Sequence, residues 1–220
     1  DGAVSYEKVK ADLKEVVELI LANTPFPTDT FNIDIEAMID YIMFVKDEKK
    51  NKWLKKNYCY IKKTKDGGRK VVVMGLPIIK DNASRLGPII LEKYIKPRML
   101  EENKGKFEKE WLIKLVKGEL EKDYTLIAQE YKCNKYEMYS PGGRNSLPAQ
   151  ISKAYMQGLN GTITLIKNKK VGRVGGDFKY CTLEEARAAN LSIKDLDLTK
   201  VYNELNPWCD ELLNTATAKQ

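Results

Sequence analysis

The sequence predicts an α+β chain in two parts. Residues 1–88 read as a helix with an antiparallel sheet, and residues 89–220 as a mostly helical stretch with one β-hairpin. Three observations carry this. Apolar residues recur at helical spacing near the start. Two strand-like segments then flank Asp66-Gly67-Gly68, a sequence suited to a hairpin turn. From about Ala83 to Gly158 the apolar spacing becomes helical again.

Ser5 is placed to cap a helix running to about Ala22. Val9, Leu13, Val16, Val17 and Ile20 form its apolar stripe, and Pro25 and Pro27 stop it. Asn32–Glu36 alternates polar and apolar residues and reads as a strand. Ile39–Val45 is short and apolar, a strand or a buried turn of helix. Lys55–Lys63 and Arg69–Met74 read as the two hairpin strands. Ile89, Ile90, Tyr94 and Ile95 start one later helix; Phe107, Trp111, Leu112, Leu115 and Val116 line a second; Leu126 and Ile127 lie on a third. Ser140-Pro141-Gly142-Gly143 breaks the run before a helix over Leu147–Met156. Thr162–Ile166 and Val171–Val174 flank Lys167–Lys170 as the second hairpin. Thr182-Leu183-Glu184-Glu185 opens a short helix with a capping box. The last helix spans Leu198–Leu213, interrupted by Pro207. Trp53, Trp111 and Trp208 sit among aliphatic residues and read as core.

Composition removes several chemistries. The 220 residues include no histidine, so Ser-His-Asp and Cys-His catalysis and histidine metal sites are excluded. Cys59, Cys133, Cys181 and Cys209 are widely separated, without the close pairs of a zinc site. With no signal-peptide pattern, they read as reduced thiols of a cytoplasmic protein. No run approaches about 18 apolar residues, so no membrane span is expected.

The net charge of +7 has one source. Lys46–Lys70 holds eleven Lys/Arg against three Asp/Glu, a net of +8, which leaves the rest of the chain at −1. Trp53, Tyr58 and Tyr60 lie within this stretch. Cations with interleaved rings suit a polyanion, because lysine neutralises phosphate and a ring packs on sugar or base. The alternative is a solvated strand and turn.

Several pieces, in order, resemble family B DNA polymerases. Lys55-Lys56-Asn57-Tyr58 is similar to that family's Lys-Lys-Arg-Tyr motif. An acidic strand, Ile33-Asp34-Ile35-Glu36, precedes it, and Met74-Gly75-Leu76 follows after a turn, similar to the family's Lys-Gly-Leu/Met-Glu strand. Leu147–Lys170 resembles the thumb, and Lys194–Pro207 the helix that returns along it. The order and spacing of these motifs, over nearly the whole chain, carry the resemblance more than any one of them.

The resemblance implies a partial palm, residues 1–88, followed by a thumb, residues 89–220. Asp1-Gly2-Ala3-Val4 stands where the family's palm hairpin ends its Asp-Thr-Asp motif, so Asp1 is either the native second aspartate or a coincidence. The first palm aspartate motif, the exonuclease and the fingers motif have no counterpart here. Arg144-Asn145-Ser146-Leu147-Pro148 resembles the fingers motif only superficially, since it lies after the lysine motif and Leu-Pro replaces Tyr-Gly.

Nucleotidyl transfer uses carboxylates bridging two Mg²⁺ ions. The resemblance makes Asp1 the catalytic and metal-binding candidate and Glu36 a further metal candidate; for Glu36 a solvated strand carboxylate is the alternative. Lys55, Lys56 and Tyr58 are expected at the minor groove of primer–template DNA, whose acceptors recur in every base pair. Lys80 is expected on phosphate. Tyr139, Arg144, Asn145 and Ser146, on the Gly-rich break, are expected at the duplex backbone or else are ordinary exposed loop residues. The implied function is the small subunit of a split archaeal or viral DNA polymerase. It is a nucleotidyltransferase only with a larger subunit that supplies exonuclease, fingers and the rest of the palm. The competing readings are a stand-alone duplex-binding or processivity module and an interaction protein whose basic hairpin docks an acidic partner.

Overall fold

A computed structural model describes residues 5–23, 35–47, 51–64 and 66–213. The chain is mixed α+β, with two three-stranded antiparallel sheets among the described residues. Helix α1 (Tyr6–Ala22) begins at Ser5, whose hydroxyl accepts from the Lys8 amide at 3.2 Å. Its apolar stripe forms, yet no residue of α1 is buried.

The first sheet joins β1 (Ile39–Asp47), β2 (Lys52–Lys63) and β3 (Arg69–Met74) in that order. Lys63 faces Arg69 across the Asp66-Gly67-Gly68 turn, as the spacing predicts. The Ile39–Val45 ambiguity resolves as strand. The strand expected over Asn32–Glu36 does not form at Ile35 and Glu36, which have no regular structure; residues 32–34 lie outside the described set.

Helix α2 (Leu86–Ile90) continues through one π turn (Leu91–Ile95) into α3 (Lys96–Glu102). Position 88, the expected domain boundary, falls inside α2. The helix against the first sheet is α3: Met99 is buried, and the Cys59 thiol lies 3.8 Å from its sulfur. Helix α4 (Lys109–Lys122) follows, with Leu112, Val116 and Leu120 buried. Met43, Cys59, Ile61 and Val71 of the sheet share one core with α2–α4 and with Trp208.

The stretch expected to be helical up to Gly158 is interrupted. Leu126 and Ile127 lie in a 3-10 turn, Tyr124–Ile127, and β4 (Gln129–Cys133) comes next. The Gly-rich break becomes a 3-10 turn, Gly142–Asn145, ahead of α5 (Leu147–Tyr155). Then β5 (Gly161–Asn168) pairs with β4 on one edge and with β6 (Lys179–Cys181) on the other. The expected second hairpin is thus corrected: Val171–Val174 is not the returning strand, and only Val174 makes an isolated bridge, to Tyr180. Asn168 explains this. Its amide group donates to the Val171 carbonyl at 2.9 Å, and its carbonyl accepts from the Lys170 and Val171 amides at 2.8 Å each. Those backbone groups are satisfied by a side chain instead of a ladder.

Helix α6 (Leu183–Ala188) carries the expected capping box between Thr182 and Glu185. Helix α7 (Thr199–Leu205) stops before Pro207 and gives way to a 3-10 turn, so the helix does not reach Leu213. Glu204 of α7 is buried and accepts from the Ser84 amide at 2.8 Å and the Ser84 hydroxyl at 2.5 Å, fixing α7 to the start of α2. Of the tryptophans, Trp208 is fully buried, and Trp111 packs on Phe107 with the Arg98 guanidinium 4.4 Å from its ring centre. Trp53 is 62% exposed, against expectation. Among the described residues all four cysteines are free and buried, and no helix is long and apolar enough to cross a membrane.

Candidate nucleic-acid interface

The basic motif sits on an irregularity that strand periodicity cannot foretell. Phe44 faces Tyr58, but two residues along β1 Lys46 faces Trp53. β2 therefore carries surplus residues, and Leu54–Asn57 form a bulge. Bulges re-aim side chains and sharpen twist. Lys56 takes a left-handed conformation, φ 61°, uncommon for a residue with a β-carbon. The Asn57 side-chain amide donates to the Lys55 carbonyl at 2.9 Å and braces the bulge. Both Lys55 and Lys56 are exposed.

The second motif lies directly against the first. Tyr58 pairs with Met74. Gly75 turns with φ +65°, and a methyl group built there would sit 2.1 Å from the Lys56 carbonyl oxygen and 3.3 Å from Asn57 Oδ1. Only glycine allows this approach at this backbone geometry. Lys55-Lys56-Asn57-Tyr58 and Met74-Gly75-Leu76 thus form one local unit. Tyr58 is half-buried, its ring 6.2 Å from Phe44 and 6.0 Å from Tyr60.

Among the carboxylate candidates, Asp1 lies outside the described residues. Glu36 is exposed, and it reaches Tyr60 electrostatically: burial first, then the Glu36 charge, pushes the Tyr60 hydroxyl above its ordinary value. Among the described residues no three His, Cys, Asp or Glu side chains converge on a possible metal position. Glu36 by itself does not make a Mg²⁺ site, and no metal-dependent step is drawn through it.

Lys80 is exposed, just past the 3-10 turn Pro77–Ile79, at the rim of a cavity of about 380 Å³. Lys167 and Lys200 line the same cavity. Lys167 is paired with Asp197 at 2.6 Å. Lys200 donates to the Asn82 carbonyl and to Gln129 Oε1, and burial lowers its pKa. Sequence reading missed Lys200, because nothing local marks a residue whose neighbours come from β4 and the loop after Lys80.

The thumb candidates cluster on one loop. Tyr139 accepts the Asn134 amide at 3.0 Å through its hydroxyl, so it braces the turn. Arg144 is exposed, 5.5 Å from the Tyr136 ring centre, and Lys153 approaches the same ring at 5.4 Å. Tyr136 and Lys153 were not singled out by the sequence. The Asn145 carbonyl accepts from Gln150, and Ser146 caps α5 without a hydroxyl cap bond. Among the described residues no hydrogen bond, ion pair or ring contact links this loop to the Lys55–Tyr58 bulge. No protein-family model matches the chain, and no curated protein matches it.

Proposed function

We propose that this chain grips primer–template duplex DNA as the end of the palm and the thumb of a split family B DNA polymerase. It works with a larger partner subunit that carries the exonuclease, the fingers and the rest of the palm. Mg²⁺ and the nucleotidyl transfer belong to that assembly. The observation that carries the reading is the contact between the two motifs of the resemblance: Gly75 packs on the Lys56 carbonyl, and Met74 pairs with Tyr58. The bulge presents two exposed lysines beside an aromatic residue, which suits contacts that sense duplex geometry without reading sequence.

The test is fluorescence anisotropy on a primer–template hairpin over a salt series. Binding should weaken steeply with salt and vary little with sequence. Lys55→Ala with Lys56→Ala should weaken it for every sequence and make the log–log salt slope shallower, because two cations leave the bound polyanion. Unchanged affinity in that double variant overturns the assignment.

A further inference from the structure

The first sheet is apolar on both faces. Side chains alternate across the pleat, and Met43, Cys59, Ile61 and Val71 point into the core. The opposite face follows from the register in three rows: Phe44–Tyr58–Met74, Ile42–Tyr60–Val72 and Ile39–Lys62–Lys70. An antiparallel sheet with one solvated face normally turns polar residues to water. Here Phe44 is 53% exposed, Met74 44% and Ile42 41%. The apolar rows end in two lysines directly opposite each other, an arrangement that costs stability unless an anion offsets it. The next pair, Lys63 and Arg69, is neutralised by Asp40, with contacts of 3.5 and 3.1 Å. Among the described residues neither Lys62 nor Lys70 has such a partner.

We infer that this outward face binds single-stranded nucleic acid, with unpaired bases stacked on Phe44 and Tyr60 and backbone phosphate on Lys62 and Lys70. Rings spaced about 6–7 Å apart, as successive rows of a sheet are, leave room for one base each. Phe44 and Tyr60 stand diagonally on neighbouring strands, each beside Tyr58, at 6.2 and 6.0 Å between ring centres. A paired duplex cannot use the face in this way, because its bases are already stacked, so the inference goes beyond the duplex grip proposed above. Charge selects nucleic acid over an apolar protein. Covering Lys62 and Lys70 with protein would bury two cations with no carboxylate between them, whereas a phosphate backbone supplies the counter-charge.

The experiment is anisotropy of a labelled oligo-dT with the full chain, alongside the duplex hairpin. Phe44→Leu with Tyr60→Leu keeps apolar bulk and removes both rings. It should weaken oligo-dT binding at least about fivefold and by more than it weakens duplex binding, whose candidate Tyr58 touches both rings. Lys62→Ala with Lys70→Ala, both at solvent-reachable positions, should weaken oligo-dT binding and reduce its salt slope by about 1.4. Lack of oligo-dT binding by the native chain, or equal binding by the leucine variant, overturns the inference. So does concentration-dependent self-association in sedimentation that Phe44→Ser abolishes, since the face would then cover a second copy. The Lys55/Lys56 variant acts on the duplex arm, so failure of the duplex reading shows there and failure of the platform shows with oligo-dT.

Discussion

At the scale of single residues, the site depends on Gly75. A side chain there meets the Lys56 carbonyl at 2.1 Å, and φ +65° is itself unfavourable for alanine. Lys56 is already left-handed and cannot yield without disturbing the bulge. Gly75→Ala should therefore cost about 1–3 kcal/mol, read as a lower urea or thermal midpoint. It should also weaken duplex binding, because it displaces Lys56. Native stability and affinity in this variant would show that the contact does not shape the site. Sequence reading found both motifs but not their contact. The lysines, the tyrosine and the glycine were legible as letters; the bulge was not, since it arises from a mismatch in length between β1 and β2.

At the scale of elements, Glu119 of α4 ties its helix to the π turn. It accepts from Tyr94 at 2.5 Å, from Lys93 at 3.1 Å and from Lys122 at 2.7 Å. The Lys122 contact first, then Tyr94, lowers its pKa from an ordinary 4.5 to about 2. A carboxylate depressed by folding stabilises the folded state above its unfolded pKa, and that contribution fades as pH falls toward the folded value. The native chain should exceed Glu119→Gln in stability at neutral pH, with the gap closing between about pH 4.5 and about pH 2. Urea midpoints over that range check it; a gap independent of pH refutes the charge-based tie. Elements built from neighbours in sequence were the legible ones: the Ser5 cap, the Thr182–Glu185 box and the Asp66-Gly67-Gly68 turn. β4 was missed although Gln129 and Cys133 are buried and Glu130 and Lys132 exposed, a period of two masked by helical residues on both sides. The second hairpin was misplaced because one side chain, Asn168, diverts its backbone.

At the scale of the whole molecule, the basic residues and the chemistry are separate questions. The cations of the first sheet can hold a polyanion, but binding a duplex equally well before and after phosphoryl transfer accelerates nothing. Transfer requires metal-bridged carboxylates and cations on the incoming triphosphate. Under the proposed function catalysis belongs to the assembled pair of chains, with Asp1 as this chain's candidate carboxylate. The measurement is primer extension with Mg²⁺ and all four nucleotides, using this chain alone, the chain that copurifies with it, and both. The expected outcome is no extension by this chain alone and processive extension by the pair, with Lys55→Ala and Lys56→Ala lowering processivity in the pair. Extension by this chain alone, from a preparation free of host polymerase, would sink the split-enzyme reading. Full processive extension by the copurifying chain alone would leave this chain a duplex-holding accessory, because the grip would then contribute nothing that the catalytic chain lacks.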